Sequence, residues 1–204
     1  MAVTLIELES LSTKSRFVTQ VQKNNAGTFV VAGADAPMIV VDVNHQRNHD
    51  GRAFFAYKLY PTSAKLAAGA SIDIVIASPS GVLPHMTVEA FCQGDAEFYL
   101  YEGTATTGGT AFTPINRNRN YAVSNPSQSA MVINPTITAL GTELDGQIVP
   151  GGVGKKSGGV GKKSGGGDSA TLEYVLKPLT NYHFRLTNVN GTSHAASLTL
   201  EWYE

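Results

Sequence analysis

The sequence predicts an all-β fold, an antiparallel β-sandwich or jelly roll with an N-terminal arm, and three observations predict it. The first is strict alternation: Ser71-Ile72-Asp73-Ile74-Val75-Ile76-Ala77 carries isoleucine at every second residue, so all three share one face of a strand. The second is composition. Only 15% of residues are charged, so the Lys and Glu that fill exposed helix faces are scarce, while Gly, Thr, Ser and Asn are abundant. The third is spacing, because strand-like runs recur at intervals of roughly 10–15 residues from Phe17 onward with turn residues between them.

Residues 1–44 are read as an arm and first strands that serve attachment. Within Leu5 to Arg16 a short amphipathic helix and a strand fit equally well, and Leu5, Ile6, Leu8 and Leu11 are candidate interface residues because they are apolar without belonging clearly to the β body. Residues 45–204 are read as the β-sandwich domain. His45 and His49 lie four apart, a spacing that co-ligates a metal on a helix. The run Gln46-Arg47-Asn48 and the following Asp50-Gly51 instead predict a turn into a strand from Arg52 to Tyr60, with no Cys nearby and no Glu between the histidines, so these are read as surface or interface histidines.

Pro61 to Ala70 is expected to be a loop with one helical turn. Met86 to Ala90 and Glu97 to Tyr101 alternate as strands around a turn at Gly94-Asp95. In Asn116-Arg117-Asn118-Arg119-Asn120 an extended backbone puts Arg117 and Arg119 on one side, a fork for a carboxylate on another subunit or on this chain; alternatively the asparagines make their own turn. Residues 150–168 hold a perfect seven-residue tandem duplication, Gly152 to Gly158 and Gly159 to Gly165, whose Lys155, Lys156, Lys162 and Lys163 form a cationic patch on an otherwise acidic chain. This segment reads as a mobile or extended loop, either solvated without contact or touching an acidic neighbour. At the C-terminal end Tyr182, Phe184 and Leu186 alternate with polar residues, then Asn190-Gly191 precedes Leu198, Leu200 and Trp202, which predicts a closing β-hairpin.

Several function classes are disfavoured. A net charge of −1 lacks the basic stripe of a nucleic-acid binder, and one Cys allows no intrachain disulfide. The opening residues place Glu7 and Glu9 where a signal peptide has a basic head and an apolar run, and no stretch approaches the length of a membrane span. Synthesis in a cytoplasm is therefore expected. The lysine loop lacks the Gly-Lys-Ser/Thr and following helix of a phosphate-binding loop, and no hydrolase, zinc-protease or dinucleotide fingerprint occurs. Catalytic, cofactor and metal residues are accordingly assigned to none, and Cys92 reads as a small buried hydrophobe.

His49-Asp50-Gly51 through Phe54, Tyr99-Leu100-Tyr101-Glu102-Gly103, Pro114 to Arg119, Leu176-Lys177-Pro178, Tyr182 to Asn188 and Trp202-Tyr203-Glu204 together resemble a group of tailed-bacteriophage virion proteins. The resemblance covers about residues 45–204 and implies a β-sandwich that decorates or cements the head. It implies a virion location after assembly in the host bacterial cytoplasm, with the major capsid protein and copies of itself, as homotrimer or dimer, for partners. The first 44 residues and the Gly/Lys loop lie outside it. A tail, baseplate or fibre component binding host-surface glycan is the alternative, with Tyr99, Tyr101 and the Asn116–Asn120 run as its surface. A glycan-degrading enzyme is set aside for want of a grouped acid pair.

Overall fold

The structure, a computed structural model, describes the backbone of residues 6–8, 17–19, 21–23, 29–31, 43–151, 159–160 and 173–204, and the side chains of 45–151 and 173–204. It divides the chain into two compact units, Met1–Asp42 and Val43–Glu204. In the first unit, β1 (Ile6–Leu8) pairs antiparallel with β2 (Phe17–Thr19), and β3 (Val21–Lys23) pairs with β4 (Phe29–Val31). Ile6 and Leu8 are thus strand residues. Their side chains, and Leu5 and Leu11 altogether, lie outside the described residues, so the arm's expected attachment role is not addressed there.

The second unit opens with α1 (Val43–His49). The strands that follow are β5 (Ala53–Tyr60), β6 (Ser71–Ala77), β7 (His85–Cys92), β8 (Ala96–Glu102), β9 (Ala105–Thr107), β10 (Thr110–Ala111) and β11 (Ile115–Asn116). Then come β12 (Ala130–Ile133), β13 (Thr136–Ala139), β14 (Thr142–Val149), β15 (Gly159–Val160), β16 (Tyr174–Val175), β17 (Asn181–Asn188) and β18 (Ala196–Tyr203). One sheet runs β10-β12-β6-β17-β8-β14, and the other runs β11-β5-β18-β7-β15 with β16 also on β7. All pairings are antiparallel. The fold is therefore all-β, two antiparallel sheets enclosing one core.

Alternation builds that core. Ile72, Ile74 and Ile76 of β6, Phe98 and Leu100 of β8, and Tyr182, Phe184 and Leu186 of β17 meet Phe54 and Ala56 of β5, Met86 and Val88 of β7, and Leu198, Leu200 and Trp202 of β18. Each large side chain so buried contributes about 1.5–3 kcal/mol against the entropy of ordering the chain. Trp202 stacks on Phe54 with centroids 6.0 Å apart. Cys92 is buried, as read, and burial pushes its thiol pKa up. Among the described residues no helix is long and apolar enough to cross a membrane.

Two local readings are corrected. First, β17 and β18 do not form a hairpin, because they sit in different sheets and face each other across the core. Asn188 accounts for the diversion: its buried amide donates to the carbonyls of Leu66, Ala67 and Thr192, and His194 forms a backbone bridge with Leu66, so the chain arches over the sandwich instead of folding back in plane. Second, residues 43–49 form a helix where a turn was expected. Asp50-Gly51 is the helix stop: Gly51, at φ +68°, donates to the Asn48 carbonyl and Arg52 donates to that of Arg47, the paired bonds of a Schellman end. Pro61 to Ala70 is a loop, held by turns at Ala64 and Ala70, and contains no helix.

Candidate functional site

A cleft of about 440 Å³ opens at one end of the second sheet, and residues remote in sequence build it. In β18 the alternation that turns Leu200 and Trp202 inward turns Glu201 and Tyr203 outward, and in β7 it does the same for His85 and Thr87. Register sets Tyr203 between Ala53 and His85. Arg47 arrives from α1, Arg117 from the residue after β11, and Glu173 from the residue before β16.

The polar groups of the cleft engage one another. The Arg117 guanidinium lies 2.5 Å from Glu201 Oε1, and the His85 Nδ1 lies 3.2 Å from Glu173 Oε1 and 3.0 Å from the Tyr203 hydroxyl. The Arg47 guanidinium sits 3.1 Å from the centroid of the Tyr203 ring, and His85 stacks on the same ring at 4.6 Å. Burial, then the hydrogen bond with Glu173, pushes the Tyr203 hydroxyl pKa up. Such a cleft binds by exchange: an incoming carboxylate competes for Arg47 or Arg117, and an incoming cation competes for Glu173 or Glu201. Two glutamates do therefore line one cleft, which no linear spacing signalled, and each is engaged by a neighbouring base.

A second feature lies along the outer face of β5. Phe55 and Tyr57 stack at 6.3 Å, Tyr57 meets Phe112 edge-on at 6.5 Å, and Arg117 sits 5.4 Å above the Phe55 ring. Tyr57 is 44% exposed and Leu59, next on that face, is 53% exposed. Because β11 pairs only with Phe54 and Phe55, the rest of β5 has no strand on that side among the described residues.

The outer face of the first sheet carries a third group. Asp73 Oδ1 accepts from Arg185 Nε at 2.7 Å and lies 2.6 Å from His183 Nε2. Burial pushes the Asp73 carboxyl up, but these two hydrogen bonds outweigh it and hold the pKa below the usual aspartate range. Tyr101 stacks on both His183 and Tyr99. At one end of the same sheet, hydrogen bonds from Lys177 and Tyr182 hold the Glu102 pKa low, while burial and the bond to Glu102 push the Tyr182 hydroxyl to about 12.

Of the residues singled out in the sequence, Arg117 makes an intra-chain carboxylate contact. Arg119 does not share it: the chain turns into a 3₁₀ helix at Arg119–Tyr121, capped by the Asn118 side chain, and Arg119 donates to the Asn116 carbonyl. The fork expected from an extended backbone is absent for that reason, and the asparagines do make their own turn. Tyr99 and Tyr101 lie in the first sheet and Asn116 in the second, so the glycan surface assembled from both is divided between sheets. Lys155, Lys156, Lys162 and Lys163 lie outside the described residues, although Gly159-Val160 in the duplicated segment pair with β7. His85, Glu201 and Tyr203 carry no linear signal beyond the alternation of their strands, and Glu173, just before β16, carries none. Comparison of the chain with protein-family models, with characterised proteins and with solved structures finds no match.

Proposed function

We propose that the chain is a structural protein of a bacteriophage virion, a capsid decoration or cement protein, and that it binds through the outer face of β5. The supporting observation is the stripe of Phe55, Tyr57 and Leu59 on a strand whose edge is open beyond Phe55, with the part-buried Phe112 edge-on to Tyr57. An exposed apolar edge strand invites aggregation unless a neighbour covers it. Aromatic side chains at the centre of an interface supply about 2 kcal/mol or more each when desolvated. A subunit that binds the assembled shell and not its free components stabilises the shell by linkage. The major capsid protein and copies of this chain are the partners of that reading.

The test is the double variant Tyr57→Ser/Leu59→Ser, assayed by sedimentation for self-association and by co-sedimentation with undecorated phage heads. The variant is expected to keep the wild-type circular dichroism and to lose both forms of association. Binding to heads at wild-type level would overturn the reading.

A tail or fibre component binding host glycan is the second reading, favoured by the part-exposed Tyr99 ring, which stacks on the buried Tyr101 and lies opposite Arg185 in register. Sugar rings stack on aromatic faces while planar polar side chains take their hydroxyls. Tyr99→Ala abolishing retention on host-envelope polysaccharide, with head binding absent, is the outcome that selects it.

A further inference from the structure

We propose that His45 and His49 form a binding site for one divalent late transition-metal ion, Cu²⁺ or Ni²⁺ by its geometry. The two residues sit one turn apart on α1, both are exposed, and their Nε2 atoms lie 3.0 Å from each other. Two imidazole nitrogens at this separation, each at the usual ~2.0–2.1 Å from a metal, subtend an angle of about 95° at the ion. That is the near-right angle of tetragonal Cu²⁺ or Ni²⁺, whereas a tetrahedral Zn²⁺ site sets its nitrogens about 3.3 Å apart.

The rings need little rearrangement to accept the ion. Without metal, the Nε2–H of one neutral imidazole donates to the Nε2 of the other. On binding, the donor ring gives that proton to solvent and takes one from solvent on Nδ1, so that both Nε2 lone pairs are free for the ion. The ring centroids are 4.5 Å apart and the planes cross at 70°, so the rings approach edge to face without colliding.

The helix beneath the pair is short, and its C-terminal half is tied to the sandwich. Its C-terminal end closes through Gly51 and Arg52, the Asn118 amide donates to the His49 carbonyl at 3.0 Å, and Arg47 lies on the Tyr203 ring. Contacts of this kind lower the ordering cost of binding at His49. Asp50, whose Oδ1 accepts from Gln46 Nε2 at 2.8 Å, adds a negative charge at the same end of the helix. Among the described residues no third His, Cys, Asp or Glu completes a cluster. The remaining coordination positions are left to water or to a donor outside the described residues. This site is independent of the virion reading and stands or falls apart from it.

The experiment titrates CuCl₂ into the full-length chain, with calorimetry for affinity and stoichiometry and electron paramagnetic resonance for the ligand set. The expected result is a single ion per chain with hyperfine structure from two nitrogens. His45→Gln or His49→Gln, conservative changes at exposed positions, is expected to weaken binding at least about tenfold and to reduce the signature to one nitrogen. His194→Gln is expected to leave both unchanged. The proposal is overturned if the wild type takes up no ion at millimolar copper, if the His45→Gln/His49→Gln double variant binds as the wild type does, or if loss of binding follows His194 instead.

Discussion

Trp202 combines two opposing contributions in one side chain, since its ring fills the core against Phe54 while its indole N–H has no hydrogen-bond partner in the structure. Trp202→Ala is therefore expected to cost about 3–5 kcal/mol through the cavity it leaves. Trp202→Phe should cost much less, because it keeps the ring contact and removes a buried donor whose desolvation is worth about 1–3 kcal/mol. Thermal denaturation of the two variants checks both, and an unchanged melting temperature for Trp202→Ala would contradict the core position. Asp73 gives a pH dependence with a definite sign. Folding lowers its pKa, so it stabilises the protein above the unfolded value of about 3.9, and that contribution is lost as pH falls through the folded value. Asp73→Asn should accordingly be less stable than wild type at neutral pH, with the gap in urea midpoint closing below about pH 4. Gly51 is a third case: at φ +68° an added Cβ would also lie 2.7 Å from the Tyr121 ring, so Gly51→Ala should destabilise by more than the ~1 kcal/mol of an ordinary Gly→Ala strain, read as a lower melting temperature.

The strands were legible in the sequence wherever one face is buried, as with Ile72, Ile74 and Ile76 or Leu198, Leu200 and Trp202. Their partners were not, because β5, β6, β7 and β8 alternate between the two sheets and a period of two reports burial without reporting which sheet supplies the neighbour. Asn190-Gly191 misled for the same reason. The helix α1 escaped because seven residues without an apolar stripe carry no periodic signal, and what holds them is tertiary: Asn118, Tyr203 and the Gly51 end. The cleft is illegible in a linear reading since its residues span Arg47 to Tyr203 and acquire meaning only through strand register. For the duplicated segment, β15 adds two residues of pairing to β7. At about 0.5–1.5 kcal/mol per hydrogen bond, deleting one seven-residue repeat should leave the fold intact and lower the melting temperature only slightly. Limited proteolysis and a melting curve of the shortened chain check this; a variant that aggregates or fails to fold would make the segment a structural element.

At the scale of the whole chain, the core cluster among the described residues runs from Phe54 to Trp202, within the unit Val43–Glu204. Residues 43–204 expressed alone should therefore fold cooperatively, with a single unfolding transition, whether or not residues 1–42 are needed for attachment to a particle. Deleting residues 1–15 from the full chain is expected to leave the protein folded and to abolish its incorporation into particles, measured by co-purification with heads. The placement of β17 and β18 reaches further than stability. β17 lies between β6 and β8, and β18 lies between β5 and β7, so the last two strands are the central members of both sheets. The hydroxyl contact from Ser71 to Thr187 alone closes a loop of 116 residues. While the ribosome is still making the chain, β6 and β8 wait for β17 and β5 and β7 wait for β18, so the inward residues of these four strands stay uncovered on that side. The sandwich can close only after synthesis reaches Tyr203, and such late, long-range closure is expected to leave the nascent chain dependent on holding chaperones.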